Sequence, residues 1–520
     1  MTLHRSGITR GELLKSAALA GGSVFLNRVP GAAAASKGTK GMNVVLFLTD
    51  QDRAIQHFPA GWAKRNLPGY TQLIRNGLSF ENAFTNACMC SPARSTLMTG
   101  YFPAQHGVKY TLEEDMPAPK YPQVELSTKF TNLATVALAA GYHPVYKGKF
   151  HCTKPAGDEF APSDLAKYGF ARWNPPDGGA NQDISEAGGG TTDNDGRYME
   201  DDGPVRAGDE GVLEYLRSQA AKQQPFFLVV SLVNPHDVLM YPKNFAAAGY
   251  DDSWLDGEIR LPETVDEDLS TKPRAQEQFL RLFNLSGPLP TPAMKRNYLN
   301  FYGNLIKSSD RYLVQVLDTL EEEGLLDDTV VVKTADHGEM GLAHGGMRQK
   351  NFNFYEESLR VPLVFSNPRL FARPERSKAL VSHVDFLPTF ASLIGTPRSA
   401  RADWQGVDYS GLVAGTSSRP PQDYVVFTYD DFQAGQARGP YIPPPNHIVS
   451  IRETRWKLAK YYDANGKVPF VYEMYDLKTD PLERKNLTYS GYTRTAEQER
   501  QFQRLRRRLD AVQRTRLAPL

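Results

Sequence analysis

Residues 43–51 read NVVLFLTDQ. The apolar run is continuous and of strand length, and it stops on Asp50 and Gln51. It therefore reads as a strand buried on both faces, with polar residues at its carboxyl end. The same plan recurs downstream. The helix-like FTNLATVALAAG (130–141) precedes the strand HPVYKG (143–148), and RAGDEGVLEYLRSQAAK (206–222) precedes FFLVVSLVNPH (226–236). The long periodic stretch 297–326 precedes TVVVKTADHG (329–338). Helix then buried strand, repeated, implies a doubly wound, largely parallel α/β sheet flanked by helices. Ligands bind beyond the carboxyl ends of the strands in such sheets, so the polar residues after each strand are gathered into one cleft.

Those residues have a common chemistry. Asp50 follows the first strand and Asp336-His337 follow a later one, so two carboxylates and an imidazole converge where one cation would be held. An oxygen-rich set suits Ca²⁺ or Mg²⁺, and a directly bound histidine moves the balance toward Mn²⁺. Lys149 and His151 follow a third strand and, by the alternation of extended backbone, project to one face. His236 ends a fourth strand, and Lys350 lies just before another. Two ammonium groups and an imidazole are what stabilises developing charge on a tetrahedral anion. Cys90-Ser91-Pro92-Ala93-Arg94 reads as a helix start, with proline in the first turn. A nucleophile there would face unpaired N–H groups that favour an anion. Each residue alone also has a bland reading: a capping carboxylate, a turn histidine, a solvated lysine. His106, His344 and His383 carry weaker claims, and His447, beside a triple proline, is not placed by the sequence. Glu200-Asp201-Asp202 reads mainly as a solvated acidic loop.

Composition bounds the rest. A chain of 520 residues can bury a large core, and a net charge of +1 argues against a nucleic-acid or membrane footprint. Three cysteines cannot form a disulfide framework, although Cys88 and Cys152 could pair in an oxidising compartment. A basic start (His4, Arg5, Arg10) leads into LLKSAALAGGSVFL, Pro30 and the small-residue run Gly31–Ala35. This predicts an export signal and linker over residues 1–40, too short in its apolar part to span a bilayer. TRGELLK resembles a twin-arginine signal, with Gly11 where the second arginine belongs. Residues 156–204 and 249–288 show little periodicity and read as long loops at the cleft mouth. A composition shift after Gly395 marks a smaller C-terminal α+β subdomain.

Cys90–Arg94 resembles the C-x-P-x-R signature of the type I sulfatases of the alkaline-phosphatase superfamily, whose cysteine is oxidised to formylglycine. The resemblance runs from about Asn43 to Leu487 through LTDQ, CSPARSTLMTG, GYHPVYKGKFH, VNPHD, DDTVVVKTADHGE, GMRQKNFNFYEESLRVPL, HVDFLPTFASLIG and EMYDLKTDPLERKNL. It implies a catalytic domain over 41–415 and a C-terminal subdomain over 416–520. It also implies hydrolysis of a sulfate ester by formylglycine made from Cys90. Arg94 then matches the residue that steadies formylglycine, and Lys149, His151, His236 and Lys350 match the sulfate pocket. Asp50, Gln51, Asp336 and His337, with residue 90 itself, match metal positions, and Ca²⁺ is the metal expected first. Gln51 and His337 depart from the aspartate and asparagine of many members and resemble the choline-sulfatase and phosphonate-monoesterase branches. The implied partners are a small-molecule or carbohydrate sulfate ester and a formylglycine-generating enzyme. Two other readings stay open: a phosphonate or phosphate esterase, and a non-catalytic binding protein if the cysteine is never modified.

Overall fold

The computed structural model describes residues 38–520 apart from 56, 114–122, 180–183, 185–186, 189–193, 201–208, 286 and 437–438. The expected export signal, but for its last three residues, and the acidic pair Asp201-Asp202 lie outside the described residues. Seven strands form the main sheet: β1 (Asn43–Thr49), β2 (Gly77–Phe84), β3 (His143–Gly148), β4 (Phe226–Ser231), β5 (Thr329–Ala335), β6 (Leu363–Ser366) and β7 (Glu375–Ser382). Their order is β3-β4-β1-β5-β6-β2-β7. β3, β4, β1 and β5 run parallel, β6 is antiparallel to both neighbours, and β2 pairs parallel with β7. The sheet is thus largely parallel with one reversed strand.

Alternation along β1 explains why its sequence is apolar throughout. Val44, Leu46 and Leu48 pack on one face with Leu133, Ala134 and Ala137 of the Leu133–Ala139 helix and with Phe390 of the Phe386–Leu393 helix. Val45 and Phe47 pack on the other face with Leu313, Val316 and Leu320 of the 31-residue helix Pro292–Glu322. Each such fully buried side chain contributes about 1.5–3 kcal/mol. The two layers fix β1 at the centre, with Asp50 immediately beyond its end.

A second, antiparallel sheet follows, from β8 (Tyr424–Tyr429), β9 (His447–Glu453), β10 (Trp456–Tyr462) and β11 (Val471–Asp476), in the order β11-β10-β9-β8. One face packs on Phe502, Leu505 and Leu509 of the Ala496–Thr515 helix, which Thr495 caps. The other, through Phe427, Tyr429, Tyr461 and Tyr475, packs on Phe352, Phe354 and Tyr355 of the chain that carries Lys350. The smaller sheet therefore backs one wall of the cleft.

Two expectations change. The stretch 249–288 includes a 12-residue helix, Arg274–Leu285, whose Ala275 and Phe279 pack beneath Tyr355. Cys88 and Cys152 are unpaired thiols: Cys88 donates to the Lys350 carbonyl at 3.0 Å and Cys152 to the Phe150 carbonyl at 3.4 Å, in separate core clusters. Among the described residues no helix is long and apolar enough to cross a membrane.

Candidate active site

Four adjacent parallel strands deliver the site. Asp50 leaves β1, Lys149 leaves β3, His236 follows β4, and Asp336-His337 leave β5. Cys90 opens the Cys90–Thr99 helix, entered from Met89, which provides no side-chain cap. Its sulfur lies 3.7 Å from Asp50 Oδ1 and 3.2 Å from His337 Nε2. Asp50, Cys90, Asp336 and His337 each offer one ligand atom, and these atoms all lie within 4.8 Å of one another. All four residues are buried.

The outer oxygens of the carboxylates are already taken. Arg94 donates from Nε to Asp336 Oδ2 at 2.8 Å and from its terminal nitrogens to Asp50 Oδ2 at 3.2 Å, the Lys149 carbonyl at 2.7 Å and Ser231 Oγ at 2.9 Å. Lys149 Nζ lies 2.7 Å from Asp50 Oδ2. Both Oδ1 atoms face His337 Nε2, at 3.6 Å each, and that of Asp336 also accepts from the Gln51 and His337 N–H groups at 3.1 and 2.8 Å. His337 Nδ1 lies 3.1 Å from the Gly338 carbonyl, which fixes the proton on Nδ1 and leaves Nε2 as a lone pair. Two carboxylate oxygens, one imidazole nitrogen and the residue-90 side chain, all converging, fit a divalent cation.

Electrostatics follow from burial and neighbours. Burial would raise the Asp50 carboxyl, but Lys149, His236, Arg94 and His337 together hold it well below the usual range. Burial and then the Asp50 charge push Asp336 up to about 7. Burial and Asp50 push the Cys90 thiol up to about 12, against the pull of Lys149 and Lys350. Burial, then the nearby ammoniums, lowers the imidazoles of His337, His151 and His236 well below 6.5, with Asp50 acting in the opposite direction on each.

Lys149 and His151 reach the site by a route that strand alternation does not describe. β3 ends at Gly148, where φ is 96° and a Cβ would stand 2.0 Å from the Ser231 carbonyl oxygen, so only glycine fits. His151 then takes a left-handed φ of 55°. Asp177 holds this turn by accepting from the Phe150 and His151 N–H groups at 2.7 and 2.8 Å. His151 Nε2 lies 2.5 Å from the Leu112 carbonyl, so it carries the proton, and Nδ1 is buried without a partner among the described residues.

Gln51, expected among the metal residues, also has a left-handed φ, 66°. Its N–H donates to Asp336 Oδ1 at 3.1 Å, while its carboxamide donates to Glu339 Oε2 at 2.6 Å and accepts from Lys350 Nζ at 2.7 Å. Any metal contact from that carbonyl oxygen would be shared with the Lys350 ammonium. His236 stands half-buried at the rim. The weaker histidines lie elsewhere: His106 bonds Thr96, His344 faces Glu267, His383 is buried after β7, and His447 pairs with Asp430.

Sequence reasoning missed Asp177, Ser231 and Glu339. Asp177 sits in an aperiodic loop with no signal. Ser231 closes β4 and was readable as a strand-end polar residue. Glu339 lies two residues past His337 and accepts from Tyr298 Oη at 2.7 Å as well as from Gln51.

A family model described as Sulfatase matches residues 42–396. The chain belongs to the sulfatase family. A second model, N-sulphoglucosamine sulphohydrolase, C-terminal, matches residues 344–515 of this sulfatase. Among curated relatives it is similar to a choline-sulfatase from Rhizobium meliloti (strain 1021), 26% identical over 86% of this chain and 82% of the relative. In fold it resembles a 2-O GAG sulfatase, with a TM-score of 0.69 and 21% identity, covering 92% of this chain and 93% of that one. It also resembles the phosphonate monoester hydrolase of Agrobacterium radiobacter, with a TM-score of 0.63 and 20% identity over 91% and 96% of the two chains. This sulfatase accordingly carries out sulfatase-type hydrolysis on a nucleophile derived from Cys90, beside a metal-binding cluster.

Proposed function

We propose that the sulfatase cleaves the S–O bond of an organic sulfate monoester through hydrated formylglycine at position 90, giving the free alcohol and inorganic sulfate. The observation that carries this is the Cys90 side chain, seated at 3.2 Å from His337 and 3.7 Å from Asp50 inside a cationic pocket. Burial and the Asp50 charge raise the Cys90 thiol and disfavour its thiolate, which supports the hydrated aldehyde over the thiol as the nucleophile. One hydroxyl of the hydrated aldehyde attacks sulfur, and the alcohol departs. The second hydroxyl then loses its proton and the sulfate is expelled as the aldehyde returns.

Asp50, Asp336 and His337, with residue 90, would hold the divalent cation, which when bound acts as a Lewis acid toward the sulfate oxygens. The imidazole nitrogen in that set favours Mn²⁺ over the Ca²⁺ expected from the resemblance. Lys149 and Lys350 neutralise the sulfate oxygens, and Arg94 holds both aspartates in place. His151 is the base for the second hydroxyl, because its Nε2–H is committed to Leu112 and its Nδ1 lone pair is unused. His236 gives a proton to the departing oxygen; burial first, and then the Lys149 and Lys350 ammoniums, keep its imidazole neutral in the resting site, and the incoming anion opposes them. The sequence of residues 1–40 supports an exported enzyme.

The test is turnover of matched aryl sulfate and aryl phosphonate esters by protein co-produced with a formylglycine-generating enzyme and loaded with Mn²⁺ or Ca²⁺. Preference for the sulfate supports the proposal, and preference for the phosphonate moves the chain to the neighbouring esterase chemistry. Higher turnover with Ca²⁺ would reverse the metal assignment alone.

A further inference from the structure

Behind the Asp50-Gln51 turn, on the side of the sheet covered by the Pro292–Glu322 helix, lies a cavity of about 480 Å³. Small-molecule sites occupy roughly 300–1,000 Å³. None of the candidate catalytic or metal residues lines it. Its walls come from the chain following Asp52, the Pro68–Arg75 helix, β2, the long helix, Lys333 of β5 and the Arg360–Pro362 segment. Lys333 and Val331 alternate with Val330 and Val332 along β5, and Val331 packs with the long helix while the other two face the opposite core. The cavity is therefore separate from the sulfate pocket.

One wall is apolar, through Ile55, Phe58, Trp62, Ile74 and Ile306. The carboxylates in the other wall are already matched. Asp52 meets Lys333 at 2.6 Å and the Thr49 hydroxyl at 3.1 Å. Asp310 accepts from the Gly69 and Tyr70 N–H groups at 2.9 and 2.8 Å, and Glu81 lies 3.8 Å from Arg376. Not all of the donors are matched. Arg360 Nε, Arg53 Nε and Ser79 Oγ are buried without a hydrogen-bond partner among the described residues, and Arg360 makes no salt bridge there. All three residues line this one cavity. Arg53 already donates from a terminal nitrogen to the Glu339 and Met340 carbonyls at 3.1 Å each, whereas the half-buried Arg360 guanidinium has no side-chain acceptor among the described residues, and a ligand oxyanion would supply one.

We propose that this cavity is a second ligand site of the sulfatase, taking a small amphipathic monoanion. Its carboxylate or sulfonate-type head pairs with the Arg360 guanidinium, and its apolar body lies against Phe58, Trp62 and Ile306.

The test is isothermal titration calorimetry of the mature enzyme with 4-phenylbutyrate, 3-phenylpropane-1-sulfonate and the neutral 4-phenylbutanol. At least one anion is expected to bind at one site per chain, roughly tenfold or more tighter than the alcohol. Which anion binds tighter identifies the head group. Arg360→Met should bring the anion down to the affinity of the alcohol, Ile306→Trp should fill the cavity and abolish binding, and Lys350→Ala in the catalytic pocket should leave binding unchanged. Thermal melting checks that each variant folds. If Ile306→Trp does not, Arg360→Met decides. No saturable binding of either anion, equal binding of the alcohol, indifference to Arg360→Met, or loss of binding in Lys350→Ala would each overturn the proposal.

Discussion

Individual side chains divide the labour between holding the site and running the reaction, and substitutions should separate the two. Arg94 is fully buried between Asp50 and Asp336 and makes four hydrogen bonds at 2.7–3.2 Å. Arg94→Met leaves two buried carboxylates facing each other, with Lys149 still paired to Asp50 but no side-chain ion pair from Arg94 to either. Stability should fall by about 3–5 kcal/mol, read as the midpoint of urea unfolding. An unchanged midpoint would mean that Arg94 is dispensable to the packed site. His236 makes a different prediction because its proposed role is at the leaving oxygen. His236→Ala should lower turnover of an alkyl sulfate by roughly 10²–10⁴-fold while sparing a 4-nitrophenyl sulfate, whose weakly basic phenolate needs little protonation. Equal losses on both esters would remove His236 from that role. Much of this constellation was legible in the sequence, because Asp50, Lys149, His236 and Asp336 follow recognisable buried strands. Asp177 was not, since it acts through a loop whose position only the folded chain determines.

At the scale of elements, the joint between the two sheets is held by a charged cluster as well as by aromatic packing. His344 stacks on Tyr355 with ring centroids 3.6 Å apart, lies 2.7 Å from Glu267 Oε2 and 3.7 Å from Glu357 Oε2. Burial alone would lower its pKa, but the two carboxylates outweigh burial and raise it from 6.5 to about 9. The folded state therefore binds this proton more tightly than the unfolded chain. Its contribution, on the order of 3 kcal/mol, is complete below about pH 6.5 and is lost as pH rises through about 9. Wild-type protein should lose stability between pH 7 and pH 10, measured by denaturant unfolding, and His344→Gln should flatten that alkaline limb. A limb that is identical in the variant would show the cluster is not its source. The sequence made the strands of both sheets visible but not this joint, because histidine and glutamates separated by tens of residues carry no local pattern. β2 and β7 were also hard to read, since Ser79, Glu81, Asn82 and the first half of β7 stand at positions that are not fully buried.

For the whole molecule, the sheet positions the site and the site is internally balanced before any cation binds. Arg94 and Lys149 neutralise Asp50 and Asp336 within the protein. Chelation should therefore abolish turnover while the chain stays folded, with circular dichroism unchanged and activity restored by Mn²⁺. Collapse of the fold on chelation would show instead that the metal is part of the scaffold. The fold class followed from repeated helix-then-strand periodicity, and the smaller sheet from the composition shift after Gly395. What periodicity could not convey was how β8–β11 turn an aromatic face onto the segment bearing Lys350, since those contacts join residues far apart in the chain.

In the proposed reaction position 90 works as an aldehyde and not as a thiol. Mass spectrometry of the peptide containing Cys90, from protein made with and without a formylglycine-generating enzyme, measures the converted fraction directly. Aryl-sulfate turnover is read on the same samples. Turnover should rise in proportion to the aldehyde fraction and be absent where Cys90 remains a thiol. Turnover by protein whose Cys90 is entirely unmodified would contradict the aldehyde role.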